Sequence, residues 1–455
     1  MRETLVKTEE FKDSPLGRIP KDWEVFKLSE VVPRVEYGIS VSLDDEVGIP
    51  VLRMNNLKDG EVDLTDLKKS ASFKAASLLL QPLDVLFNRT NSIEHVGRTA
   101  IWRGQIEPAS FASYLVRLIP DQSKLIPEYL NIWLNFPSTQ LLIRRYATPG
   151  VHQVNINPTN LRKVLIPLPK EVSEQRRIVE IFGSIDSTIA HTSSLIAKLK
   201  QMKAGLLHDL LTRGLDENGE LRDAIAHPEL FKDSPLGQIP KNWSVSSVGE
   251  GIVKIEQGWS PDCESISTPI GEWGVLKTTA VVWEGYQDCE NKRLPSHLQP
   301  DPNYQVKVGD VLMTRAGPNS RVGVVALVDN TQGKLMLSDK LYRLVPGENI
   351  DPEFLVYALS SSGTQNYLSR RKTGLAESQT NISQDIVRTL LIPLPPLEEQ
   401  EQITSVLEKY NTCIRTEEAY RDKLKLQKKG LMHDLLTGKV RVKDADKFTS
   451  VGDTS

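Results

Sequence analysis

The sequence predicts a mixed α/β (α+β) protein written twice: two globular domains, each followed by a long helix, the helices pairing within the chain as an antiparallel coiled coil. Three observations predict it. The chain carries a long internal repeat, each copy closes on a helix-length run with a coiled-coil seam, and 455 residues suit two cores better than one. At 39% hydrophobic and 25% charged residues the composition is that of an ordinary globular protein, neither a disordered chain nor a fibre.

The repeat starts with an entry motif. FKDSPLGRIPKDW, from Phe11 to Trp23, returns as FKDSPLGQIPKNW, from Phe231 to Trp243, with two differences in thirteen positions and a shift of 231 − 11 = 220. DVLFNRTNSIEHVG, from Asp84, aligns with DVLMTRAGPNSRVG, from Asp310, at a shift of 226. RRYATPGVHQVNI, from Arg144, then matches RRKTGLAESQTNI, from Arg370, and LIPLP recurs at Leu165 and Leu391, again at 226. GLLHDLLT, from Gly205, closes the first copy and GLMHDLLT, from Gly430, the second, at 225. A repeat of this length is a duplicated domain rather than a solenoid unit.

Within each globular part, Val308 to Met313 and Gly323 to Val328 have the length and β-branched content of strands. Pro127 to Phe136 and Pro352 to Leu359 read as helices with proline in the first turn. Prolines close LIPLP, and Glu171 and Glu174, or Glu398 and Glu399, then suit the positive end of a helix. The seam runs Ile178, Phe182, Ile185, Ile189, Ile196, Leu199, Leu206 and Leu210 in the first helix, with polar breaks at Thr192 and Lys203. In the second it runs Ile403, Leu407, Tyr410, Ile414, Leu424, Leu431 and Leu435, broken by Glu417, Arg421 and Lys428. Each helix of about 40 residues extends about 60 Å and cannot bury its seam alone. Hydrophobicity does not choose between parallel and antiparallel pairing. The short connection after the first helix favours the antiparallel arrangement, with an approximate two-fold relating the copies.

The resulting domain boundaries are an N-terminal arm at 1–19, a first globular domain at 20–165, a helical spacer at 170–213 and a linker at 214–230. The second copy has its globular domain with entry motif at 231–391, its spacer at 397–438 and a tail at 439–455. Cys263, Cys289 and Cys413 are scattered, so neither a disulfide framework nor a structural zinc site is expected. No membrane span or secretory signal is evident, and the expected location is the cytoplasm. The net charge of −3, and the 17 basic against 16 acidic residues in 20–165, do not nominate a polyanion partner.

LIPLPPLEEQEQI followed by GLMHDLLTGKVRV, after a variable domain ending in Gln-x-Asn-Ile, resembles the specificity subunit of type I restriction-modification enzymes. The resemblance covers nearly the whole chain. It implies that the globular parts are target-recognition domains, each reading one half of a split, asymmetric double-stranded DNA site, with the helices as a ruler between the halves. It also implies two modification subunits that methylate adenine with S-adenosylmethionine, and restriction subunits that use ATP and Mg²⁺ to translocate and cleave unmodified DNA. This chain is then expected to bind none of those cofactors and to be non-catalytic.

Under that resemblance, Arg89 and Arg315 occupy matching places after an apolar run, and arginine is shaped for bidentate contact to guanine or phosphate. A structural ion pair is an equally good reading of both. The residues just beyond them diverge most: Asn91, Ser92 and His95 against Asn319, Ser320 and Arg321. Arg144 and Arg145, like Arg370 and Arg371, suit phosphates. His152 and Ser378 are reading candidates, whereas Gln153 and Asn155, with Gln379 and Asn381, fit a turn.

Rival readings remain. Asp301-Pro302-Asn303-Tyr304 lacks the second proline of an amino-methyltransferase motif, and no phosphate-binding loop of the G-x-x-x-x-G-K-[ST] kind is present. Asp262 with Glu290 and Lys292 is a loose match to a metal nuclease site, unmatched in the first copy. A two-headed coiled-coil scaffold for proteins is the stronger alternative to a stand-alone methyltransferase or nuclease.

Overall fold

A computed structural model of the chain describes residues 3–150, 153–374 and 379–444. It divides into two compact units, one formed by the described residues up to Ser193 and from Ala419 onward, the other by Ser194 to Glu418.

The first unit opens with strand Glu3–Lys7, which pairs antiparallel with strand Val440–Asp444 from the far end of the sequence. The entry motif folds as a hairpin of Phe11–Ser14 and Gly17–Pro20, ending on Trp23, which is fully buried. Strand Glu24–Lys27 then pairs with Leu165–Leu168, the LIPLP segment, so start and end of the globular part are sewn together. Between them lies a six-stranded sheet in the order Arg34–Tyr37, Leu115–Ile119, Val85–Asn88, Thr99–Ile101, Gly60–Val62, Leu57–Lys58. Helix Pro127–Asn135 covers its central strands, burying Tyr129, Leu130, Trp133 and Leu134 against Val85, Phe87 and Ile101.

The second unit repeats this plan. The hairpin Phe231–Ser234 with Gly237–Pro240 leads to buried Trp243, and Ser244–Ser247 pairs with Leu391–Leu394. The sheet has four strands, Ile252–Gln257, Leu341–Pro346, Val311–Thr314 and Val325–Leu327, covered by helix Pro352–Ser360. The strand expected from Val308 begins only at Val311, because Lys307 to Asp310 forms a turn in which the Asp310 carboxylate accepts the Lys307 N–H at 2.9 Å. Val308 is left exposed.

The DVL aspartate of the repeat has a structural cause. In the first unit the Arg117 guanidinium, nearly buried, donates to Glu36 (2.8 Å), Asp84 (2.6 Å) and the Leu79 carbonyl (2.9 Å). In the second, Arg343 does the same with Glu256, Asp310 (3.1 Å) and the Gln305 carbonyl (2.8 Å). The Arg117 hydrogen bond holds the Glu36 carboxyl below its ordinary 4.5. Burial pushes Glu256 up, but Lys254 and Arg343 outweigh it and the carboxyl again lies low. A depressed carboxyl pKa stabilises the folded state above the ordinary value, and that contribution is lost as pH falls through the folded value. Thermal melts of the full chain are therefore expected to weaken progressively below about pH 4.5. A melting temperature unchanged down to about pH 3 would contradict this account.

The long helices run Val172–Thr212 and Leu397–Leu436. In the first unit Glu174 meets Arg441 while Asp186 meets Lys428 (2.6 Å), so numbering rises in one helix as it falls toward the other. In the second unit Lys200 meets Glu418 (2.8 Å) and Glu399 meets Leu215, again antiparallel. Every seam residue named above is buried or half-buried, with Ile178, Phe182, Ile403, Leu407 and Leu435 among the most enclosed.

The repeated Glu-Gln at each helix start does two jobs. Gln175 accepts the Ile126 N–H (3.1 Å) and donates to the Lys124 carbonyl (2.7 Å); Gln400 does so for Asp351 (2.9 Å) and Asn349 (2.9 Å). These fix the helix to its own globular part. The adjacent glutamate grips the segment just past the end of the opposite helix. Glu174 takes two hydrogen bonds of 2.6 Å from Arg441, which also pairs with Asp22 and lies over Trp23. Glu399 takes two from Arg222 (2.5 and 3.1 Å), one from the Trp243 indole (3.0 Å) and one from the Leu215 N–H (2.9 Å).

Candidate nucleic-acid interface

In both units a central strand is followed directly by an arginine held by a shared frame. The Arg89 N–H donates to the Tyr114 carbonyl (3.0 Å), and its own carbonyl accepts from Ile156 (2.8 Å). Its Nη1 donates to the Ser113 carbonyl (3.2 Å), and the guanidinium lies 5.4 Å from the centre of the Tyr37 ring. Arg315 repeats the three hydrogen bonds, N–H to Lys340 (2.9 Å), carbonyl from Ile382 (2.9 Å) and Nη1 to Asp339 (3.0 Å), but its guanidinium lies 5.5 Å from the ring of Tyr342, on a different strand from the counterpart of Tyr37. These contacts give both arginines a structural role. They also fix the direction of each guanidinium, which a positively charged contact on a surface needs.

A close approach completes the frame. Gly38 and Gly258 pass so near the facing backbone that a Cβ on either would lie 2.2 Å from the Ala112 oxygen or 1.8 Å from the Leu337 oxygen. No side chain fits there.

The divergent loops sit beside these arginines. In the first unit Asn91 and Ser92 are half-buried and His95 is exposed; the Asn91 side chain accepts the Ser92 N–H (2.8 Å), and the Ser92 carbonyl accepts the His95 N–H (3.1 Å). Arg144 reaches across from the end of helix Pro137–Arg144 to the Glu94 carbonyl (3.1 Å), and Arg145 is exposed next to it. Strand Thr90–Asn91 pairs with Val154–Ile156, where the Asn155 side chain donates to Thr90 (3.1 Å). In the second unit Asn319, Ser320 and Arg321 are exposed, and Lys372 donates to the Asn319 carbonyl (2.9 Å). Burial pushes the Lys372 ammonium below its ordinary pKa. Arg370 is exposed, and Arg371 stacks on Tyr367 at 3.5 Å. Each unit thus gathers an oriented arginine, a variable loop and a basic helix end on one surface. His152 and Ser378 lie outside the described residues.

The residues flanking each frame were not singled out by sequence reasoning. They are Tyr37 and Tyr114 in one unit, Gln257 and Lys340 in the other. The available signal is the matched pair of strings Leu115-Val116-Arg117-Leu118 and Leu341-Tyr342-Arg343-Leu344, which align at 226 and place 114 opposite 340.

The rival constellations have local explanations. Asp301 caps a short helical turn by accepting the Asn303 N–H (2.9 Å), and Glu290 faces Thr279 and Lys277. Among the described residues no three His, Cys, Asp or Glu side chains gather in a way that could hold a metal ion. No described helix is long and apolar enough to cross a membrane.

Comparison with known proteins places this geometry in context. The pattern of the family described as "Type I restriction modification DNA specificity domain" matches residues 20–201 and 278–426. A putative type I restriction enzyme MjaX specificity subunit of Methanocaldococcus jannaschii is 30% identical over 451 residues, 96% of this chain and 98% of that one. The type I restriction enzyme EcoEI specificity subunit of Escherichia coli is 38% identical over 243 residues, 53% of this chain and 39% of its own. The crystal structure of the S subunit of a type I restriction-modification system from M. genitalium shares the fold, with a TM-score of 0.55 at 14% identity over 91% of this chain and 96% of that chain.

Proposed function

Since the chain belongs to the family of type I restriction enzyme specificity subunits, we propose that each unit reads one half of a bipartite, asymmetric DNA site and that the paired helices set the gap. The observation that carries this reading is the retained frame with divergent contents: Arg89 and Arg315 are held by the same three hydrogen bonds, while the loops beside them share almost no chemistry. A duplicated reader of two unlike half-sites requires that combination.

The chain supplies the address and its partners the chemistry. Two modification subunits carry S-adenosylmethionine and methylate adenine, and restriction subunits use ATP and Mg²⁺ to cleave unmodified DNA. Part of the positive charge that DNA binding requires then belongs to those partners, which reconciles the near-neutral sequence with a polyanionic target.

Mapping methyladenine in cells that express this chain with its modification subunits is expected to show one split motif, absent without the chain. Exchanging residues 20–165 for the corresponding region of another family member is expected to replace one half of the motif and leave the other half and the gap as they were. Methylation that ignores the exchange, or that needs no specificity chain, would refute the assignment.

A further inference from the structure

The two units hold one arginine in one frame but flank it differently, and the frame cannot distinguish the half-sites because both units share it. Discrimination has to come from what differs around it. Position 37 precedes the crowded Gly38, and 257 precedes Gly258. Positions 114 and 340 provide the carbonyls that receive the arginine N–H groups. In the first unit both places hold tyrosine, 51% exposed at Tyr37 and 44% exposed at Tyr114. In the second unit they hold Gln257 and Lys340, both exposed.

These side chains are tied to the arginine directly. Tyr37 offers its ring to the Arg89 guanidinium, whereas the Gln257 amide donates to the Asp339 carbonyl (3.2 Å), the same oxygen that receives Arg315 Nη1 (3.0 Å). The backbone under them is pinned as well, by Gly38 N–H to Leu115 (3.2 Å) and Gly258 N–H to Ser338 (3.3 Å). An exchange at these places therefore changes surface chemistry while leaving the three hydrogen bonds of each arginine, whose partners are all backbone groups, in place. Two half-exposed tyrosines with apolar bodies and polar tips are the surface expected of a contact rather than of bare solvent.

We propose that Tyr37 with Tyr114, and Gln257 with Lys340, are specificity-determining residues of the two half-sites. The tyrosine pair meets apolar base features such as the thymine methyl, whereas glutamine and lysine meet the hydrogen-bonding edges of adenine and guanine. This rests on the DNA-reading function proposed above.

The test uses the full chain with its modification subunits and reads the methyladenine motif. The double variant Tyr37→Gln/Tyr114→Lys carries the second unit's pair into the first. Gln257→Tyr/Lys340→Tyr does the reverse and carries the test if the first variant does not fold. Each is expected to change base preference by about tenfold or more at one or more positions of one half-site, with the other half and the gap unchanged. A wild-type split motif with both variants methylating that same motif at wild-type levels overturns this proposal alone. So does an even loss of methylation over all sites by a variant that melts like the wild type, since that is how a phosphate contact behaves. A wild-type chain that directs no split motif overturns the function and this proposal together.

Discussion

Glu399→Ala is expected to lower the stability of the second unit by about 3–5 kcal/mol, the range for removing one partner of a buried charge pair. The size follows from what the carboxylate holds. Its side chain is 8% exposed and that of Arg222 13%, so the guanidinium left behind is neither paired nor well hydrated. The Trp243 indole N–H and the Leu215 N–H lose their acceptor at the same time. Each buried donor left unsatisfied adds about 1–3 kcal/mol, overlapping with the first figure rather than adding to it in full. Chemical denaturation of the full chain should show an earlier transition, with Glu174→Ala acting on the first unit instead. Unchanged midpoints in both variants would show that these carboxylates are not the clamps described.

The second large effect concerns the helices. One heptad inserted at matched positions of both is expected to keep the seam in register and to lengthen the pair by about 10 Å. If the pair sets the gap, the spacer grows by about three base pairs, at about 34–36 Å per turn of DNA, while both halves of the motif stay the same. Sites with the original spacer should then lose methylation. A motif with unaltered spacing would remove the helices from any role as a ruler.

The sequence makes some of this fold legible and hides the rest for physical reasons. Ile178, Phe182, Ile403 and Leu407 could be recognised because a helix repeats its buried face every three or four residues, a regularity visible in a short window. The entry hairpins could be placed because the two copies keep the same string. Glu399 is different: in sequence it is merely one of several acids near a helix start, and the carboxylate–dipole argument applied there is correct in sign but minor beside Arg222, which lies 177 positions away. Arg117 and Arg343 were equally silent, since a nearly buried arginine looks like any other until Glu36 and Asp84, or Glu256 and Asp310, are seen around it. At the candidate interface, duplication identified Arg89 and Arg315 because both copies keep them. It also drew attention to the loops, because there the copies differ. Tyr37 and Gln257 escaped both tests, as they sit on a strand whose alignment changes from 220 to 226 across the sheet.

The pairing of Glu3–Lys7 with Val440–Asp444 has a consequence in time. The second unit is one continuous stretch from Ser194 to Glu418, whereas the first is built from described residues on both sides of that stretch. A ribosome that has just released Glu418 has supplied all of the second unit. The first unit, although it begins first, still waits for its half of the second helix, for Arg441 to reach Glu174, and for strand Val440–Asp444 to close its ladder. Synthesis therefore finishes the two readers in reverse order, and a chain truncated near its end leaves its earliest residues without their partner.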